Sequence, residues 1–191
     1  MFKFFALLNR MKYIKRWSLM RSVAEENIME HSQQVAVIAH ALAVIKNKIY
    51  NGNVDILKTV MLAQYHEAGE VLTGDLPTPI KYFNKEIQLA YKDLESLAED
   101  KLLKMLPDEL KDEFSKYVKA DTSCYEYLLV KSADKLSAYI KCLEELKAGN
   151  SEFKMAKNTI EKEIKSKNID EVNYFFDKFI PSFNLSLDEL E

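Results

Sequence analysis

Glycine and proline are scarce in this chain, at four residues each among 191. A fold of many short strands needs turn residues at every reversal, so the scarcity favours long helices. Cysteine is nearly absent: Cys124 and Cys142 are the only two, and no C-x-x-C occurs. Two thiols do not make a disulfide framework, and free thiols suit a reducing compartment, so a cytoplasmic location is expected. Long apolar runs are missing as well. The longest, Val35 to Ile45, has eleven residues and includes His40. That is too short to cross a bilayer, so no membrane association is expected. The apolar run within Met1 to Arg10 is too short for a signal peptide. Neither sign of charge dominates: the net charge of −3 gives no reason to expect binding to a nucleic acid polymer.

What is present is an ordinary globular composition, 48% hydrophobic and 30% charged. It is enough for one domain over residues 1–191 with a real core. The pattern is helical almost throughout, with no internal repeat or linker, and predicts an all-α bundle. A first amphipathic segment covers residues 2–13. A basic stretch follows around the only tryptophan, Ile14 to Arg21. A long helix is expected from Asn27 to Lys48, stopped by Asn51-Gly52-Asn53. The next runs from Asp55, as N-cap, to Leu72, and ends where Pro77 and Pro79 forbid continuation. Further helices are expected over 85–105, 108–119, Cys124–Lys147, 151–166 and Ile169–Phe179, with Pro181 to Leu185 as an apolar strap.

Only three histidines occur: His31, His40 and His66. His40 lies nine residues from His31, about half a turn around the same helix, so the two cannot serve one site. In a helix, His66 and Glu70 share a face at i, i+4, and Glu67 and Glu70 are neighbours at i, i+3. A third polar station, Asp134, interrupts an apolar helix marked by Leu128, Leu129, Leu136, Ile140 and Leu143. Its partner is a neighbouring lysine, Lys131 or Lys135, or solvent, or else a metal ion. Imidazole and carboxylate are the donors that hold a divalent ion while leaving positions open for water and substrate. Buried without a partner they are costly.

Several stretches resemble one family over nearly the whole chain. They are Arg16-Trp17, Glu30-His31-Ser32 with Gln34-Val35-Ala36, His66 to Pro79, Lys141 to Leu146, and Pro181 to Glu189. The order His, His-acid, distant Asp is similar to the HD-domain metal-dependent phosphohydrolases. The long run from His66 to Pro79 is similar to the YfbR-like bacterial 5′-deoxynucleotidases. The resemblance implies a helical HD fold, a homodimer, and hydrolysis of deoxyribonucleoside 5′-monophosphates to deoxyribonucleoside and phosphate. It implies His31, His66, Glu67 and Asp134 as ligands of one divalent ion, Co²⁺, Mn²⁺ or a similar metal. It places Glu70 in proton transfer and Arg16 in orienting the phosphate. It puts Trp17 against the sugar, where its bulk excludes a 2′-hydroxyl. Asp75, Leu76, Pro77 and Thr78 become a substrate-contacting loop, and His31, Glu67 and Asp134 adjoin substrate as well as metal.

One position departs from the family pattern. The family is named for His-Asp, and this chain has His66-Glu67. Glutamate adds one methylene and more rotamers. Two other readings stay open on sequence alone: another HD nucleotide hydrolase acting on a triphosphate or cyclic nucleotide, and a silent nucleotide-binding protein of the same fold.

Overall fold

The computed structural model describes residues 1–191, and every regular element in it is helical. The helices are α1 (Phe4–Leu8), α2 (Ile28–Ile49), α3 (Ile56–Tyr65), α4 (Glu70–Thr73), α5 (Thr78–Lys81), α6 (Lys85–Leu103), α7 (Asp108–Val118), α8 (Tyr125–Lys147), α9 (Lys154–Lys167) and α10 (Asp170–Lys178). No helix is long and apolar enough to cross a membrane.

The long helices start where polar side chains satisfy their free N–H groups. Asn27 opens α2 with a capping box completed by Glu30, Asp55 caps α3 and Asn84 caps α6. The helices α2, α3 and α8 pack on one another, and α9 and α10 cover the outer side of α8 and α2. On α2 the buried positions Val35, Ala39 and Leu42 repeat at three- and four-residue steps, and Leu129, Ala133, Leu136 and Ile140 do so on α8. With Leu62 and Ala63 of α3 they form most of a core cluster of 21 buried residues. His31 and Ser137 belong to these same buried stripes, at the end nearest the loop before α2. A satellite cluster of Phe4, Ala68, Leu102, Leu103, Leu106 and Val118 ties α1, α6 and α7 to the turn that follows α3.

Three expectations are corrected. The first segment is not one helix: α1 ends at Leu8 and a 3₁₀ turn, Asn9–Tyr13, follows. The helix expected from Asp55 to Leu72 breaks after Tyr65. Ala68, Glu70, Val71 and Leu72 then donate to the carbonyls of Tyr65, Glu67, Ala68 and Gly69, an i→i+3 pattern. The C-terminal strap is two 3₁₀ turns in which Ile180 is buried while Leu185, Leu187 and Leu190 stay exposed. The expected stop at Thr73 is made by Gly74 at φ 74° rather than by the prolines, which open the short α5 instead, Pro77 as its N-cap and Pro79 in its first turn. His40 faces solvent, on the side of α2 away from His31.

Candidate functional site

Two short backbone pairings set the site. Arg16 N–H donates to Glu26 O at 2.9 Å, and Ile28 N–H to Ile14 O at 3.0 Å. They lay the Ile14–Trp17 strip along the N-terminus of α2. Trp17 adopts φ 59°, a left-handed conformation rare for a bulky side chain. Its indole N–H donates to Glu26 Oε2 at 2.8 Å, and its ring packs on buried Phe153 with centroids 5.3 Å apart. The loop between Trp17 and α2 is fastened from below. Glu145 of α8 accepts from Val23 N–H (2.8 Å), Ala24 N–H (3.1 Å), Asn150 Nδ2 (2.8 Å) and the Lys141 ammonium. Lys141 also donates to Ala24 O.

At the end of the core so defined, His31, His66, Glu67 and Asp134 converge. One donor atom from each lies within 4.8 Å of all the others. His66 Nδ1–H donates to Ala63 O at 2.6 Å. A carbonyl can only accept, so the proton is on Nδ1 and Nε2 presents a lone pair. That Nε2 stands 3.2 Å from Glu67 Oε1. The Ser137 hydroxyl donates to Gln34 Oε1 at 2.5 Å and so accepts from His31 Nδ1 at 3.1 Å. His31 Nε2 is left 3.1 Å from Asp134 Oδ1. Neither Nε2 has a hydrogen-bond partner, although both are buried. Two imidazole lone pairs facing two carboxylates form an array of acceptors without a donor, and a cation among them resolves it. The four residues therefore fit a divalent metal ion.

The electrostatics follow from the same geometry. Burial opposes ionisation of Asp134, but His31 when its ring is protonated, with the Lys131 and Arg16 cations, outweighs it and holds the carboxyl well below the usual range. Burial likewise opposes ionisation of Glu67, and His66 with Lys131 overcomes it. Glu70 goes the other way: burial first, then the Glu67 charge, push its carboxyl strongly upward, so it holds a proton at neutral pH. The helix break explains that pair. In an i→i+3 turn, residues three apart eclipse, which stacks Glu70 on Glu67. Of the two neighbours expected for Glu70, His66 at i, i+4 and Glu67 at i, i+3, the turn brings Glu67 against it.

Arg16 reaches Glu26 Oε2 at 3.5 Å and Asp134 Oδ1 at 3.9 Å. Asp75 lies in the field of the same groups: burial raises its carboxyl most, Arg16 opposes this and Glu67 adds to it. Leu76 and Pro77 are half-buried and Thr78 is exposed at the start of α5. No hydrogen bond or ion pair to the four donors involves these three. The loop turns at Gly74, whose φ of 74° suits glycine.

Sequence reasoning missed Glu26, which touches Arg16, Trp17 and His31 Nδ1 (3.7 Å) at once. It sits in an acidic loop pair, Glu25-Glu26, where nothing local says which acid turns inward. Ser137 and Gln34, which orient His31, were also missed. Of the two lysines weighed for Asp134, Lys131 is within 3.8 Å and Lys135 pairs with Glu163 instead.

The model of the 5′-deoxynucleotidase YfbR-like family matches residues 3–183. A 5′-deoxynucleotidase of Enterobacter sp. (strain 638) is 55% identical over 188 residues, covering 98% of this chain and 94% of its own. The 5′-deoxynucleotidase YfbR of Escherichia coli (strain ATCC 8739) is 53% identical over 190 residues, with the same coverage. Among solved structures, an HD-domain phosphohydrolase from Listeria innocua has a TM-score of 0.84 at 20% identity, covering 95% of this chain and 88% of its own. A cyanophage S-2L HD phosphohydrolase bound to dA and one catalytic Zn²⁺ has a TM-score of 0.69 at 17% identity, covering 93% and 96%. At these identities the solved structures speak to the fold, which is that of the HD phosphohydrolases. With a family match across nearly its full length and relatives above half identity, the chain belongs to the YfbR-like 5′-deoxynucleotidase family.

Proposed function

We propose that the protein is a metal-dependent 5′-deoxynucleotidase that hydrolyses deoxyribonucleoside 5′-monophosphates to deoxyribonucleoside and phosphate in a single domain over residues 1–191. The observation that carries this reading is the convergence of His31, His66, Glu67 and Asp134 with two unpartnered Nε2 atoms, beside the Arg16 guanidinium. The relatives named 5′-deoxynucleotidase, and the dA and Zn²⁺ held by the cyanophage protein, support the substrate class and a single divalent ion.

His31, His66, Glu67 and Asp134 would hold the ion, which supplies charge to a phosphoryl oxygen and acidity to a water. Co²⁺, Mn²⁺ or a similar metal suits two imidazoles and two carboxylates. Arg16, fixed by Glu26, offers a planar fork to the phosphate and keeps its charge at any working pH. As water adds to phosphorus, the P–O5′ bond breaks, the leaving oxygen needs a proton, and one of the two water protons now on the phosphate is released to restore the acid that gave it. Glu70 carries one, a turn away from the metal donors, and gives it to O5′. Trp17, held by Glu26 and Phe153, walls the sugar where a 2′-hydroxyl would stand. Asp75 accepts from a sugar hydroxyl, and Leu76, Pro77 and Thr78 complete that loop.

The family resemblance supports a homodimer, which sedimentation tests. Two unbridged thiols, half-buried Cys124 and buried Cys142, suit a cytoplasmic location. The decisive assay is phosphate release with added Co²⁺ or Mn²⁺. Release from dAMP and not AMP is expected, with the ratio falling on the order of tenfold or more in Trp17→Ala as the wall is removed. Equal release from AMP in the unmodified protein removes the deoxyribose assignment; release of pyrophosphate or triphosphate from a nucleotide replaces it with the other hydrolase class.

A further inference from the structure

One helical turn before Asp134 on α8 stands Lys131, which none of the roles above employs. Its ammonium is 3.8 Å from Asp134 Oδ2, while the Arg16 guanidinium is 3.9 Å from Asp134 Oδ1. The two oxygens of one metal-donor carboxylate are thus flanked by two cations. One comes from the loop before α2 and the other from α8.

Neither contact is a closed ion pair, for which the nitrogen–oxygen distance is about 2.7–2.9 Å. Other lysines of this protein do close on their partners: Lys135 reaches Glu163 at 2.7 Å and Lys81 reaches Glu95 at 2.8 Å. Asp134 is the one ion-pair partner of Lys131, and its side chain is 42% exposed where it passes Tyr127, with the ammonium 6.0 Å from that ring. Its three N–H donors are therefore not consumed by the protein. On the opposite flank, Arg16 NH1 is buried without a hydrogen-bond partner. Two under-used cations on either side of the donor cluster match a ligand with two negative charges and several acceptor oxygens.

We propose that Lys131 is the second phosphate-binding cation of the site, gripping the substrate phosphoryl group opposite Arg16. The inference rests on the nucleotidase reading and names one more substrate-contacting residue within it. The simpler role for Lys131 is to balance the charges of Glu67 and Asp134. The two roles predict different behaviour. A charge-balancing lysine competes with the metal and ignores phosphate, whereas a phosphate ligand is felt by every phosphate-bearing molecule.

The test compares the unmodified protein with Lys131→Gln and Lys131→Arg, using melting curves to verify folding. Lys131→Gln is expected to raise KM for dAMP, and the Ki and calorimetric Kd of inorganic phosphate, on the order of 10- to 100-fold. Inhibition by deoxyadenosine, which has no phosphate, should stay unchanged. Metal affinity, read by competition with a chelator, should stay equal or tighten, because a positive charge beside a metal donor has gone. Lys131→Arg should recover most of the phosphate affinity. Unchanged phosphate Ki and Kd in Lys131→Gln overturns the proposal, as does an equal loss of deoxyadenosine affinity. If the unmodified protein hydrolyses no deoxynucleotide with any metal, the nucleotidase reading falls, and the calorimetric phosphate titration still decides Lys131.

Discussion

Glu67 is the residue at which this chain leaves its family's pattern. One extra methylene has to be accommodated within a set of donors already confined to 4.8 Å. From Tyr65 the backbone ladder is i→i+3, and the longer side chain lies beside Glu70. Glutamate at this position still places a carboxylate oxygen within 4.8 Å of the other three candidate donor atoms. Its cost is one additional rotor to freeze when it coordinates, a few tenths of a kcal/mol to about 1 kcal/mol. Glu67→Asp is accordingly expected to change metal affinity by no more than about fivefold, the equivalent of that rotor. Chelator competition measures it. A tightening of a hundredfold would mean that Glu67 is not a donor in the unmodified protein and that only the aspartate restores the centre. The two histidines, the two acids and Asp134 were legible in the sequence because polar residues in apolar stripes are conspicuous. Ser137 was not, because its value lies in contacts with Gln34 and His31 across 103 and 106 residues of chain, and Glu26 was not, because it sits in a loop without periodicity.

At the level of elements, caps and apolar periodicity located α2, α6, α7 and α8 to within about two residues at their ends, as capping signals allow. The break between α3 and α4 had no such signal. The apolar pattern runs on through Leu62, Ala63, Ala68 and Val71, and no proline intervenes. Tertiary contacts make the break: Ala68 is buried in the satellite cluster with Phe4 and Leu102, and Ala63 O is taken by the His66 ring. Gly69 sits inside this turn, yet its φ of −61° and ψ of −30° are open to any residue. A methyl group there would meet Glu99 Cγ at 3.6 Å and Glu95 O at 3.7 Å, ordinary contacts. Its freedom is therefore exercised only in the unfolded chain. Gly69→Ala is expected to stabilise the protein by about 0.4–1 kcal/mol through reduced unfolded-state entropy. Urea unfolding reads it as a higher midpoint at unchanged slope, and a lower midpoint would show that the turn needs glycine for a motion absent from this conformation.

The whole molecule is held together partly by buried charge outside the four candidate donors, and that charge sets its response to pH. Glu145 is 1% exposed and accepts from Lys141, Asn150 and two backbone N–H groups. These donors overcome the effect of burial and lower its carboxyl from 4.5 to about 2. A depressed carboxyl contributes stability above its unfolded value, and the contribution is lost as pH falls from about 4.5 towards 2; the shift corresponds to about 3 kcal/mol. Glu99, packed against the Gly69 turn, is displaced the other way: burial is the largest cause and raises its carboxyl to about 7. A raised acid contributes stability below 4.5 that is lost as pH rises through 7, and its partial exposure reduces the effect to about 2 kcal/mol. Stability should therefore peak at mildly acidic pH and fall on both sides, for separate reasons. Glu145→Gln should lower the melting temperature at pH 6 while flattening the acid limb. Glu99→Gln should leave pH 4 nearly unchanged and raise the melting temperature at pH 8. The loop carrying Arg16 and Trp17 is fastened to Glu145 through Val23 and Ala24. The acid limb should therefore appear in nucleotide binding before it appears in global unfolding, since a loop can detach while the core of α2, α3 and α8 stays packed. Intrinsic Trp17 fluorescence against far-ultraviolet circular dichroism, both followed from pH 6 to pH 2, separates the two events, and coincident transitions would mean that the Glu145 contacts and the core give way as one unit.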